Sequence, residues 1–229
     1  SLKAHFELTL PIAGAGNVGL IETALRHQIA LDRNINIDGL SVFLVAHHIH
    51  WVAPREPGYR NDAPFLLKVT YKEKDITAEL GDLRKLMNKA IVNVYESGAG
   101  FSSTTSLLAA KLVLALLDDE KPQPMHLPAP NGLHGGYPVK VHNDVVDLDL
   151  PQEWQLSVAK DLMTQAQQRD GIEKITNDGV IHFNAESVAI LKNEVGITLP
   201  EIVRPDELET FAQEQIRMAL NAIKNLNAN

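Results

Sequence analysis

The 229-residue sequence contains no cysteine. This absence excludes disulfide scaffolds, zinc sites built on thiolates and cysteine nucleophiles. Basic residues are in the minority, with 21 Lys and Arg against 29 Asp and Glu and a formal net charge of −8. Because an acidic surface repels phosphate backbones, we expect no nucleic-acid partner. The longest apolar run, Leu107–Leu117, has eleven residues and contains Lys111, so we expect no membrane span and a cytoplasmic protein.

The sequence instead contains helical periodicity interrupted by short strand-like runs. Apolar residues at three- and four-residue spacing predict helices, whereas β-branched runs next to Gly, Pro or Asp-Gly predict strands. This order indicates an α+β fold in which an antiparallel or mixed sheet packs with several long helices. The helix from Ser103 to Leu117 is apolar on nearly all sides, so we expect it to be buried in the domain or in a subunit interface. The predicted strands are 5–10, 40–46, 65–71, 137–141, 145–150 and 180–183, and the predicted helices are 20–31, 78–96, 103–117, 152–169, 186–194 and 205–225.

A glycine motif precedes the first helix. Gly14-x-Gly16-x-x-Gly19 matches the dinucleotide-binding fingerprint, in which backbone amides approach a pyrophosphate at a helix N-terminus. The following strand ends in histidines where that fingerprint requires a ribose-binding acid, and the rest of the chain does not alternate strands with helices. These departures favour a simple glycine-rich turn into the helix.

Three of the nine histidines, His47, His48 and His50, follow the predicted strand 40–46. Side chains alternate along a strand, which predicts that His48 and His50 share one face. A histidine at a strand end can act as a general acid or base, because its pKa lies near neutrality. The spacing of His48 and His50 also suits two metal ligands, although no acidic cluster lies near them in the sequence.

Several segments, in order, resemble the C-terminal, substrate-binding half of the lactate/malate dehydrogenase superfamily, which includes the NAD-dependent family 4 glycosidases. Ile21–Arg26 resembles the dehydrogenases' Leu-Asp-x-x-Arg helix, with the arginine displaced by one position. Ile37–His48 resembles the segment that ends in Gly-Glu-His-Gly, and it is also similar to the glycosidases' Gly-Leu-Asn-His-x-x-Trp, with Trp51 on their tryptophan. Gly98–Ser102 resembles the Gly-Ala-Thr-Tyr helix start of both groups.

The resemblance implies a fold like the lactate dehydrogenase C-terminal domain and one substrate-binding and catalytic domain over residues 1–229. It also implies an N-terminal Rossmann domain before Ser1, through which NAD or NADP would bind, so the cofactor-binding residues are unknown. The implied function is the catalytic half of an NAD(P)-dependent oxidoreductase-like enzyme for a small hydroxy acid or phosphorylated sugar. We expect the isolated chain to be inactive.

The resemblance also assigns site residues. His48 falls on the catalytic histidine, Glu22 would orient it by accepting its ring N–H, and Arg26 would bind a substrate carboxylate. We expect the substrate to contact Asn17, His50 and Ser102.

Two alternatives stay open beside the dehydrogenase interpretation. A metal-dependent family 4 glycosidase would use His48 as a metal ligand, but its metal-binding cysteine is Gly16 here, and hydrogen cannot replace a thiolate. A ligand-binding or oligomerisation module would keep the scaffold without the chemistry. In each case we expect a small-molecule ligand and a homo-oligomer.

Overall fold

A computed structural model describes residues 14–16, 18–47, 63–96, 100–118 and 120–226. The predicted strand 5–10 lies outside these residues. The described residues form six α-helices and three small antiparallel sheets, which confirms the α+β class. The chain divides into two compact units, Leu2–Ala166 and Gln167–Asn229, with the boundary near the end of a helix.

The first core of the larger unit joins helix α1 (Val18–Arg33), strands β1 (Leu40–Val45) and β2 (Leu66–Tyr71), and helix α2 (Leu83–Glu96). One apolar face of α1 supplies a row of buried side chains at helical spacing, as the sequence predicts. β1 and β2 are antiparallel, and the short strand β3 (Lys74–Asp75) extends their sheet. The residues of this core include Ile21, Leu25, Ile29, Leu40, Val42, Leu44, Val69, Met87 and Ile91.

The second predicted helix begins later than its periodicity indicates. The sequence predicts a helix from Ala78, but a short 3-10 turn at Thr77–Leu80 is followed by Gly81 with a φ of 73°, which ends any continuous helix there. Asp82 then accepts hydrogen bonds from the amides of Arg84 and Lys85, both at 3.1 Å, and starts α2.

A second sheet contains the strands β4 (Gln123–Pro128), β5 (Gly136–His142) and β6 (Val145–Leu148), joined in that order and all antiparallel. β4 is absent from the predicted strands, because Pro124 and Pro128 give it the composition of a loop. Helix α3 (Gly100–Leu117) covers one face of this sheet. That core contains Ala115, Met125, Leu127, Val139, Val141 and Val146.

The expectation that α3 is buried inside the domain is wrong for one of its faces. Leu107, Leu114 and Leu117 are 64%, 66% and 75% exposed, because the sheet covers only the opposite side of the helix. Burial in a subunit interface stays a prediction. No helix in the described part of the chain has the length and apolar character needed to cross a membrane.

A pair of backbone hydrogen bonds links the two sheets at the end of β1. Ala46 donates to the carbonyl of Gly136 at 3.2 Å, and Gly136 donates back to Ala46 at 2.9 Å. Helix α4 (Leu156–Gln168) packs beside this junction. Its Ala159, Met163 and Ala166 form a third buried cluster with Val45 and Tyr137.

The smaller unit contains a third sheet and two further helices. Strands β7 (Ile172–Ile175), β8 (Ile181–Phe183) and β9 (Ile202–Val203) are antiparallel, and only β8 is among the predicted strands. Helix α5 (Ala185–Ile190) starts at an Asn184 cap and continues as a wider turn at Leu191–Val195. Helix α6 (Leu208–Leu226) follows the Pro205–Glu207 turn, as predicted from the proline and the acidic pair.

Candidate functional site

Two of the predicted site residues, Glu22 and Arg26, are described with their side chains, and both lie on α1. They are four residues apart, so they occupy adjacent positions on one face of the helix, and Arg26 Nε lies 3.5 Å from Glu22 Oε1. Asn17, His48 and His50 lie outside the described residues. Ser102 belongs to the first turn of α3, and its side-chain surroundings are likewise outside what the structure describes.

Glu22 and Arg26 line a pocket of about 390 Å³, which we call the α1 pocket. One wall is α1, the second is the first part of β1, the third is β4 with β5, and α3 contributes the fourth. The polar or charged residues that line it are Glu22, Thr23, Arg26, Asp38, Ser41, Lys111, His126 and Asp149.

The carboxyl of Glu22 is unusual because it is mostly buried. Its side chain is 14% exposed, and burial raises its pKa from 4.5 to about 7. The positive charges of Arg26 and Lys111 and a 3.4 Å hydrogen bond from Thr23 Oγ1 act in the opposite direction without overcoming burial. At neutral pH this carboxyl therefore exists in both protonation states, as a general acid or base requires.

The guanidinium of Arg26 is held at one end and incompletely bonded at the other. Its Nη2 donates to the carbonyl of Ile37 at 3.3 Å. Its Nε is buried and makes no hydrogen bond within the described part of the chain, despite its proximity to Glu22. A buried donor without a hydrogen bond is costly, so the guanidinium is incompletely satisfied by the protein. The Arg26 side chain is 33% exposed, and that exposed part is where a ligand oxygen could approach.

His126 on β4 is the site residue that sequence reasoning missed. Its Nε2 accepts a hydrogen bond from the amide of Leu44 on β1 at 3.1 Å. Burial, aided by the charge of Arg26, lowers the pKa of His126 to about 3, so the ring is neutral. The strand pattern carries the signal, since Met125 and Leu127 enter the core and His126 must then point to the other face.

Protein atoms occupy the space beside each of the three glycines of the glycine motif. The amide of Gly14 donates to the carbonyl of Pro128 at 2.7 Å, and a Cβ added at Gly14 would lie 2.7 Å from that proline's ring. A Cβ on Gly16, whose φ is +93°, would meet Thr105, and one on Gly19 would meet the carbonyl of His126. These glycines allow α1 to approach β4 and α3 closely. The described residues therefore do not fit a dinucleotide pyrophosphate at this turn.

The described residues also do not assemble a metal centre. No group of three or more His, Asp or Glu side chains among them is arranged to hold a metal ion. The metal ligand predicted from the resemblance, His48, lies outside the described residues, and Gly16 has no side chain to contribute.

Comparisons with known proteins find similarities among solved structures. No protein-family model matches the chain, and no curated protein matches it. Among solved structures it is similar to a lactate dehydrogenase from Cryptosporidium parvum complexed with lactic acid and nicotinamide adenine dinucleotide, with a TM-score of 0.46 and 15% identity over 69% of this chain and 51% of that one. It is also similar to a malate dehydrogenase from Salinibacter ruber, with a TM-score of 0.44 and 17% identity over 69% of this chain and 51% of that one. The chain thus spans about half the length of these two proteins.

Proposed function

We propose that the chain is the substrate-binding and catalytic half of an NAD(P)-dependent oxidoreductase-like enzyme that acts on a small hydroxy acid or a phosphorylated sugar. The observation that carries the proposal is the pairing of Glu22 with Arg26 in the α1 pocket. A carboxyl that titrates near neutrality and an incompletely bonded guanidinium lie 3.5 Å apart at the pocket wall. Together they provide a proton-transfer group beside an anchor for an anion.

In this proposal Arg26 binds the anionic group of the substrate. The exposed third of its side chain meets the anion, and Lys111 adds a second positive charge at the pocket. Glu22 holds or releases a proton at the neighbouring carbon–oxygen group. Protonated Glu22 does not compete for Arg26, so an anion should bind more tightly below pH 7 than above it.

The resemblance adds further proposed roles to this pocket. His48 would share the proton transfer, with Glu22 accepting its ring N–H, and Asn17, His50 and Ser102 would contact the substrate. NAD or NADP would be held by a Rossmann domain outside this chain and would accept or supply the hydride. We further propose that the protein is a cytoplasmic homo-oligomer.

The proposal predicts that this chain binds small anions and that Arg26 carries the binding. We would titrate lactate, malate and glucose 6-phosphate calorimetrically into the parent, Arg26→Met and Glu22→Gln near pH 6 and pH 8. Loss of a charge-assisted hydrogen bond worth roughly 1.5–3 kcal/mol should weaken binding to Arg26→Met by about 10- to 150-fold. In the parent, affinity should fall as pH rises through about 7, and Glu22→Gln should remove that pH dependence.

Arg33→Met is the matched control, because Arg33 lies on the same helix but pairs with Glu79 outside the α1 pocket. This variant should bind like the parent. Equal losses in the Arg26 and Arg33 variants, or no binding of any of the three anions, would refute the proposal. Tight binding without NAD(H) turnover in a gene product that carries the Rossmann domain would favour the ligand-binding module instead.

A further inference from the structure

The ring of His126 accepts a hydrogen bond at the edge of β1, where the backbone carbonyl of a neighbouring strand would ordinarily accept it. Ala46, two residues after Leu44, donates its amide away from β2 to the carbonyl of Gly136. Amides two residues apart on a strand point to the same side, so the amide of Leu44 also points away from β2, and it donates to His126 Nε2 at 3.1 Å. The imidazole therefore completes the hydrogen bonding of β1 from the side of the second sheet.

This hydrogen bond determines which ring nitrogen carries the proton. A nitrogen that accepts a hydrogen bond carries no hydrogen, so the neutral ring must hold its single proton at Nδ1. The surroundings oppose a second proton, because the ring is buried and Arg26 is close enough to disfavour another positive charge. The other charged groups at this pocket are Glu22 on α1, Lys111 on α3, and Asp38 and Asp149 in the connecting segments.

The Nδ1–H of His126 makes no hydrogen bond to the described residues, whereas its Nε2 accepts one. His126 lines the α1 pocket together with Glu22 and Arg26, so Nδ1 is the ring nitrogen left for a ligand there. Its neighbours Met125 and Leu127 belong to the second core, so strand alternation places the His126 side chain on the other face of β4.

We propose that His126 is a substrate-binding residue whose Nδ1–H donates a hydrogen bond to an oxygen beside the anionic group held by Arg26. This inference rests on the proposed function of the same pocket. In this inference Arg26 binds the anionic group and His126 on β4 binds the adjacent hydroxyl or carbonyl oxygen. His126 would therefore select ligands that carry such an oxygen over ligands that lack it. The His126 ring keeps its single proton around neutral pH, whereas Glu22 changes its protonation state at the same site.

The test compares pairs of ligands that share an anionic group and differ in the neighbouring hydroxyl. Lactate and propionate form one pair, and glucose 6-phosphate and inorganic phosphate form the other. His126→Gln places an amide oxygen near the Nε2 position, so it can still accept from Leu44, but it loses the Nδ1–H. We expect about 2- to 12-fold weaker binding of the hydroxylated member and unchanged binding of its partner.

Arg26→Met separates the two interactions, since it should weaken both members of a pair equally. If Arg26→Met weakens binding while His126→Gln leaves the ratio within each pair unchanged, His126 is only structural and the inference fails by itself. If the parent binds none of the four ligands, the proposed function fails and the inference fails with it.

A second measurement does not depend on a variant that must fold. In protein labelled with ¹⁵N-histidine, the His126 ring should show the Nδ1–H tautomer without titrating between about pH 5 and pH 8. Lactate should shift its Nδ1 resonance and propionate should not, and the matched phosphate pair should behave in the same way. A ring that titrates near its usual pKa, or that responds to neither hydroxylated ligand, would overturn the inference.

Discussion

Replacing Glu22 by glutamine should stabilise the protein at neutral and alkaline pH. Glutamine keeps the size and polarity of the protonated acid but cannot ionise. The folded-state pKa of Glu22 is raised, so the folded protein binds more protons than the unfolded chain between pH 4.5 and about 7, and stability falls as pH rises through this window. The difference between 4.5 and about 7, at about 1.4 kcal/mol for each pKa unit, corresponds to about 3 kcal/mol.

The expected result is a pH-dependent difference between the variant and the parent. Well below pH 4.5 Glu22 is protonated in the parent, so residue 22 is neutral in both the parent and the variant. The two proteins should then have similar free energies of unfolding. Above pH 7 Glu22→Gln should be more stable by up to about 3 kcal/mol. Urea unfolding at several pH values, followed by tryptophan fluorescence, measures this difference, because Trp154 packs against a buried cluster of the larger unit.

Glu120→Gln controls for the loss of one negative charge, because Glu120 is an exposed residue of the same unit just beyond α3. Its stability difference should stay near zero on both sides of pH 7. The reasoning is refuted if Glu22→Gln changes stability by the same amount at every pH, since burial would then not disfavour the ionised carboxyl. A carboxyl that destabilises the folded protein at neutral pH is a common feature of functional sites.

Two glycines allow sharper packing tests by urea unfolding. In Gly19→Ala the new Cβ would lie 2.9 Å from the carbonyl oxygen of His126. This repulsion should exceed the gain in helix propensity of about 1 kcal/mol, so we expect the variant to be less stable than the parent. A variant more stable than the parent would contradict this close approach. Gly135 has a φ of +73°, which is unfavourable for alanine, and the new Cβ in Gly135→Ala would also meet the side chain of Met163. We therefore expect the free energy of unfolding to fall by at least about 2 kcal/mol. Gly132→Ala is its control, with a φ of +86° and no neighbour within 4 Å, and equal losses in the two variants would remove Met163 from the explanation.

Local periodicity is sufficient to predict the elements that have a clear apolar face. Helix α1 and strands β1 and β2 lie within two residues of their predicted limits, because their side chains repeat at the helical or strand period. β4 is not predicted, because Pro124 and Pro128 indicate a loop. Its six residues pair with β5, a segment that follows it in sequence, and that pairing is not visible in the composition of β4 itself.

The site shows the same division between local and distant information. The four-residue spacing of Glu22 and Arg26 is sufficient to predict that they share one helix face, and the i,i+4 contact is present. The spacing does not predict the burial of Glu22, whose side chain is 14% exposed. The catalytic assignment of His48 and the substrate contacts of Asn17, His50 and Ser102 stay predictions.

Composition and local periodicity are enough to predict the α+β class, the absence of cysteine chemistry, and an acid and an arginine on the same face of α1. These properties depend on composition and on neighbours within one or two helical turns. Three features of the site become visible only in the folded chain: Glu22 is buried, Arg26 Nε lacks a hydrogen bond within the described residues, and Leu44 donates to His126 at 3.1 Å. Protonation and hydrogen bonding depend on which groups surround a side chain, and here several of those groups come from α3 and β4, far from α1 along the chain.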